Sequence, residues 1–80
     1  MPPLWFDPPV SVEGNRPGLI IVISSVGRAA EQLLAWQDRG PKWRAAAQAC
    51  VDAMDGAGSA KDARTAFVEA AAESGKLVLD

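Results

Sequence analysis

The sequence predicts an α+β domain of order β-β-α-α-α-β, a small antiparallel three-stranded sheet covered on one face by three helices. Three observations predict it. Residues 10–13 and 19–24 are strand-like runs around a turn that contains glycine, asparagine and proline. From Ser25 onward, apolar residues recur at helical spacing in three blocks, separated by Gly40-Pro41 and Gly56-Ala57-Gly58. Residues 76–79, Lys-Leu-Val-Leu, then return to an extended pattern.

The first strand, Val10-Ser11-Val12-Glu13, alternates apolar and polar residues, as a half-buried strand does. Gly14-Asn15-Arg16-Pro17-Gly18 supplies the turn. Residues 19–23, Leu-Ile-Ile-Val-Ile, are apolar on both faces. That suits a covered, central strand, and the one-sided first strand suits an edge. An apolar run left as an open edge would invite self-association.

Ser24 or Ser25 caps the first helix. Its expected stripe is Val26, Ala30, Leu33, Leu34 and Gln37, and its expected end is near Arg39 with Gly40 as the C-terminal cap. Pro41 opens the second helix. There Trp43, Ala46, Ala47, Cys50, Val51 and Met54 follow the spacing of one apolar face. Ser59 and Asp62 form an approximate capping box for the third helix, with the Asp62 carboxylate favoured by the helix dipole. Its stripe is Ala63, Ala66, Phe67, Ala70, Ala71 and Ser74, and Gly75 ends it. Alanine on the packed faces favours helix formation and close approach.

The arm before the first strand, residues 1–9, contains Pro2, Pro3, Pro8 and Pro9 around Leu4, Trp5, Phe6 and Asp7. It is either a ligand held out for a partner or a strap packed on its own domain. The prolines are not spaced as P-x-x-P, which argues against a proline-rich ligand. Asp7-Pro8-Pro9 leads directly into strand one, where edge proline is tolerated. Burial of Trp5 and Phe6 would add on the order of 300–500 Å² of aromatic contact. The strap is therefore the preferred reading, in cis or across a dimer, for a chain divided into the arm and one domain over residues 10–80.

Composition narrows the function classes. Eighty residues allow one domain with a small core, and such domains usually need a disulfide, a metal, very regular packing or a partner subunit. There is one cysteine and no histidine, so neither an intrachain disulfide nor a zinc cluster is expected. A net charge of −2 provides no general attraction for nucleic acid or an anionic membrane. The longest apolar run is too short to span a bilayer, and the N-terminus does not read as a secretory signal. The unpaired cysteine fits a reducing cytoplasm.

No catalytic motif emerges. Without histidine there is no Ser-His or Cys-His pair. Cys50 lies on the apolar stripe and reads as a small core residue. Asp52 and Asp55 fall off that stripe and read as a solvated face rather than an acid–base pair. Gly56-Ala57-Gly58-Ser59 lacks the phosphate-loop pattern and reads as a turn with a cap. No cofactor is expected. The candidate partner-binding residues are Trp5, Phe6, Trp36, Arg39, Lys42 and Arg44. In "RGPKWR", Arg39, Lys42 and Arg44 surround Trp43, the ingredients of single-strand nucleic-acid binding. Against this, Trp43 begins an apolar stripe and Arg39 complements a helix C-terminus. Trp36 sits one position off its stripe, either covering its own core or anchoring an interface. The expected function is a non-enzymatic interaction or regulatory module that forms a homodimer or binds another small protein, with no small-molecule substrate evident and with nucleic-acid binding as the alternative.

Four segments in this order, "WFDPPV", "SVGRAAEQLLAWQDRG", "AAAQACVDAMDG" and "ARTAFVEAAAESGKLV", resemble the short alphaproteobacterial proteins, common in rhizobia, grouped as domain of unknown function 982. The likeness covers nearly the whole chain. It implies small stand-alone proteins of cytoplasmic, non-membrane character and transfers no functional residue. Family members often carry "WP" where this chain has Trp36-Gln37, a departure that would make the loop after the first helix more helical.

Overall fold

A computed structural model describes residues 4–14, 16, 18–37 and 39–78. The arm's Pro2 and Pro3, the turn's Asn15 and Pro17, and Leu79 of the expected last strand lie outside them. The element order is β1 (Trp5–Glu13), β2 (Ile20–Ser25), α1 (Val26–Ala35), α2 (Pro41–Asp55) and α3 (Ala60–Glu73). The chain is α+β, with a two-stranded antiparallel sheet and three helices.

β1 begins five residues earlier than its apolar alternation suggests, so half of the arm is strand. Trp5 pairs with Ser25, and Val10 to Glu13 pair with Ile23 to Ile20, with a shift of register between Trp5 and Val10. Pro8 and Pro9 occupy that shift, where a residue without an N–H costs the ladder least. Gly14 N–H donates to the Leu19 carbonyl at 2.7 Å and closes the hairpin.

The expected strand order is corrected. β1, not β2, is flanked on both sides. On its free side the Glu13 N–H donates to the Lys76 carbonyl at 2.8 Å and the Val78 N–H donates to the Ser11 carbonyl at 3.0 Å. Leu77 makes a single antiparallel bridge to Val12 there, in place of the third strand expected over residues 76–79. Gly75, at φ +69°, turns the chain after α3 so that it reaches β1. β2 therefore has one paired edge and one edge without a strand partner among the described residues.

Side chains sort by face as strand period dictates. Val10, Val12 and Ile23 point into the core and Ile21 is half-buried. They share one buried cluster with Phe6, the α1 residues Val26, Ala29 and Leu33, the α2 residues Ala46, Cys50 and Ala53, and the α3 residues Ala63, Phe67, Ala70 and Ala71. α3 packs against β1 and α1 against β2, whereas α2 packs mainly on α3 and α1. The expected layer of three helices on the sheet is thus two helices backed by a third.

Local chemistry explains the helix ends. Ser25 Oγ accepts from the Arg28 N–H at 3.2 Å, and Ser59 Oγ accepts from the Asp62 N–H at 3.1 Å, so each cap satisfies an orphan amide. Gly56, at φ +85°, closes α2 in the left-handed conformation that other residues adopt only at a cost. α1 departs from expectation: it ends at Ala35, four residues before Arg39, and Gly40 is the N-cap of α2 instead of the C-cap of α1. Trp36 leaves the helix with ψ 141° and stacks on Phe67 at 5.6 Å between centroids. Burying that indole costs α1 its expected last turn, and Trp36-Gln37 lies outside the helix.

Two expected stripes are rotated. In α1, Ala29 is buried and Leu34 and Gln37 are exposed. In α2, the buried row is Ala46, Cys50 and Ala53, with Val51 and Met54 outside. α2 and α3 meet through small residues, and a close approach of two backbones leaves no room for Val or Met in that row. In α3 the buried residues Ala63, Phe67, Ala70 and Ala71 match the sequence stripe.

Candidate functional site

The candidates separate by burial. Phe6 and Trp36 are core residues, each more than nine-tenths buried, so the reading of them as exposed partner contacts is corrected. Phe6 lies 6.0 Å from Phe67 and Trp36 stacks on the other side of the same cluster. Aromatic contacts of this size dominate a small core. Trp5 is 60 % exposed, so only one ring of the pair expected to be buried is buried. It lines a shallow groove with Asp7 and with Lys61, Arg64 and Thr65 of α3. The Arg64 Nε donates to the Pro8 carbonyl at 2.7 Å and ties that segment to α3.

The basic turn is largely committed to the fold. Arg39 donates from Nε to the Trp36 carbonyl at 3.2 Å and from Nη2 to the Leu34 carbonyl at 3.1 Å. Its guanidinium also lies 4.8 Å from the centre of the Trp43 ring. Arg39 thereby caps carbonyls left open at the end of α1 and complements the helix dipole. Trp43 donates its Nε1–H to the Leu33 carbonyl at 2.7 Å. Lys42 pairs with Glu69 at 3.1 Å, joining α2 to α3, but both ends are half exposed and such pairs contribute about 0–1 kcal/mol. Arg44 is exposed on α2.

The structure also brings forward a surface that the sequence reading placed in the interior. Ile20 is 53 % exposed, Val22 59 % and Leu19 44 %. Ile20 and Val22 stand opposite Glu13 and Ser11 on the outward face of the hairpin, next to the edge of β2 that has no strand partner among the described residues. A run apolar on both faces looks the same in sequence whether its second face is covered by the same chain or by another. The signal available was the warning that this run would be hazardous as an edge.

Cys50 has no exposed surface, and burial pushes its thiol up from the ordinary value near 9 to about 11. Desolvation disfavours the thiolate, which is the reactive form. The sign of the pH dependence follows. A raised folded-state pKa gives stability that is fully present below pH 9 and lost as pH rises through about 11. The wild type should lose about 2–3 kcal/mol relative to Cys50→Ala across that window, measured as the difference in urea unfolding free energy. Iodoacetamide should modify Cys50 only as fast as the domain opens, and rapid labelling of the folded protein would contradict this. Among the described residues no group of three His, Cys, Asp or Glu side chains is placed to hold a metal.

No helix among the described residues is long and apolar enough to cross a membrane. No curated protein and no solved structure matches the chain. With its hairpin, three helices and closing segment accounted for, the chain matches the family described as "Protein of unknown function (DUF982)" over residues 8–78, and it belongs to that family.

Proposed function

We propose that the chain is a non-enzymatic protein-interaction or regulatory module of the reducing cytoplasm that pairs with a second copy of itself through β2. The observation that carries this reading is the outward face of β2, with Ile20 and Val22 exposed beside a strand edge that has no strand partner among the described residues. Exposed backbone donors and acceptors along an edge are a template for another strand. A second copy fits because Ile20–Ser25 carries no charged side chain, so a two-fold pairing of β2 with itself brings no like charges together within the strands. Such a patch belongs to the small interface class, below about 1,200 Å² in total, and micromolar dissociation is expected.

Val22→Lys tests the reading. The lysine lies on the exposed face, so the monomer should keep its fold and its melting temperature at low concentration. Size-exclusion elution should move from the dimer position to the monomer position. A wild type and a Val22→Lys variant that elute together at every concentration would refute pairing through β2.

Nucleic-acid binding through Arg39, Lys42 and Arg44 is the weaker reading. Arg39 and Arg44 do flank one small cavity with Gly40 and Pro41, but Arg39 and Lys42 are engaged internally. Titration with a single-stranded oligonucleotide at low salt should show no binding. Saturable binding that weakens steeply with salt would favour this reading instead.

A further inference from the structure

The hydrogen-bond alternation of the hairpin fixes which backbone groups the open edge of β2 offers. In an antiparallel ladder each residue aims its N–H and its C=O at the same neighbour, and successive residues alternate sides. The Gly14 N–H bonds the Leu19 carbonyl, so these two residues face each other. At the alternate positions β1 turns away from β2: the Glu13 N–H bonds the Lys76 carbonyl, and the Ser11 carbonyl accepts from the Val78 N–H. Ile20 stands opposite Glu13 and Val22 opposite Ser11. By the same alternation Ile20 and Val22 turn away from β1, and their N–H and C=O groups point out along the edge of β2 that has no strand partner among the described residues. Ile21 and Ile23 are turned the other way, toward Val12 and Val10.

A second β2 running antiparallel must set Ile20 and Val22 against residues that also point outward. A slip of one residue sets Ile20 against Ile23, which is turned to β1, and loses those bonds. Among the registers that remain, one sets Ile20 against Val22 and Val22 against Ile20. It also sets Ile21 against itself and Leu19 against Ile23, so the apolar run over residues 19–23 faces its own copy throughout. A slip of two residues one way sets Ile20 against Ser24 and Leu19 against Ser25, and a slip the other way sets Val22 against Gly18. Either slip gives up apolar, β-branched cross-strand pairs, the pairs that stabilise a sheet.

Given the self-pairing of β2, on which this rests, we propose that two copies join their sheets with β2 antiparallel to β2 and Ile21 on the two-fold axis. Ile20 of each copy exchanges both of its main-chain hydrogen bonds with Val22 of the other. Their side chains lie side by side and continue the outward face of the hairpin across the junction.

Disulfide trapping reads this register. A hydrogen-bonded pair holds its Cα atoms about 5.5 Å apart, inside the disulfide range of about 4.4–6.8 Å. Diagonal neighbours two residues removed are about 7–8 Å apart, outside it. Ile20→Cys and Val22→Cys replace exposed side chains, and the native Cys50 is buried, so the variants should fold and Cys50 should stay out of the reaction. Each variant is held at about 100 µM in a glutathione redox buffer, alone and as an equal mixture, and the linked products are identified by mass without reductant. The mixture should give a linked heterodimer of the two variants about tenfold or more above either linked homodimer. Self-linking of either variant as strong as the heterodimer would overturn the register and leave the dimer standing. So would an unlinked mixture beside a wild type that sediments as a dimer. A wild type that stays monomeric at this concentration would overturn both the register and the self-pairing. Wild-type dimers of equal parts isotope-labelled and unlabelled chain give a check free of substitutions: NMR should show methyl contacts between Ile20 of one copy and Val22 of the other, and their absence in a proven dimer would also overturn the register.

Discussion

Phe67→Ala should come close to unfolding the domain. Phe67 has no exposed surface, and it holds Phe6 and Trp36 together, at 6.0 and 5.6 Å between ring centres. Truncating a buried phenylalanine costs about 3–5 kcal/mol, because the transfer energy is lost and a cavity remains. At about 0.05–0.15 kcal/mol per residue, a chain of this length has a total stability on the order of 4–12 kcal/mol. One side chain therefore decides a large share of the whole. Urea unfolding followed by circular dichroism measures it, and a loss below about 1 kcal/mol would show that the three rings do not form the centre of the core.

Removal of residues 1–9 should have an effect of similar size. It deletes Phe6 from the core, the Leu4 carbonyl that accepts from the Val26 N–H at 2.9 Å, and the Pro8 carbonyl that holds Arg64. A loss of about 3 kcal/mol in a domain of this length lowers the melting temperature by on the order of 10–20 °C. Two point variants separate packing from length. Phe6→Ala should reproduce much of the loss, while Trp5→Ala should change stability by no more than about 0.5 kcal/mol, as exposed substitutions do. An unchanged melting temperature after truncation would return the segment to the role of a ligand for a partner.

Much of the architecture is legible in the residues. The Ser59–Asp62 cap, the glycine after α2 and the α3 stripe follow from short-range chemistry, because an orphan amide or a left-handed residue restricts the choice at one position. The errors lie where several phases fit equally well. α2 carries alanine at Ala45, Ala46, Ala47, Ala49 and Ala53, so its large residues suggest one buried face and its close packing against α3 selects another. The end of α1 depends on whether Trp36 continues the helix or drops into the core, and the partner that decides this, Phe67, is 31 positions away. Strand order was also hidden. Val10 to Glu13 alternate as an edge strand does, yet the chain after α3 returns to flank β1.

β2 ties these observations to function. It was read as the covered centre of the sheet, and it is the strand with an open edge and an apolar outer face. Self-pairing would give that edge a partner after all, in the assembly instead of in the monomer. Sedimentation equilibrium of the full chain, over loading concentrations from about 1 to 100 µM, tests this most directly because the expected dissociation constant lies inside that range. The average mass should rise with concentration toward twice the 8.4 kDa of one chain. A mass that stays at 8.4 kDa throughout would contradict the account.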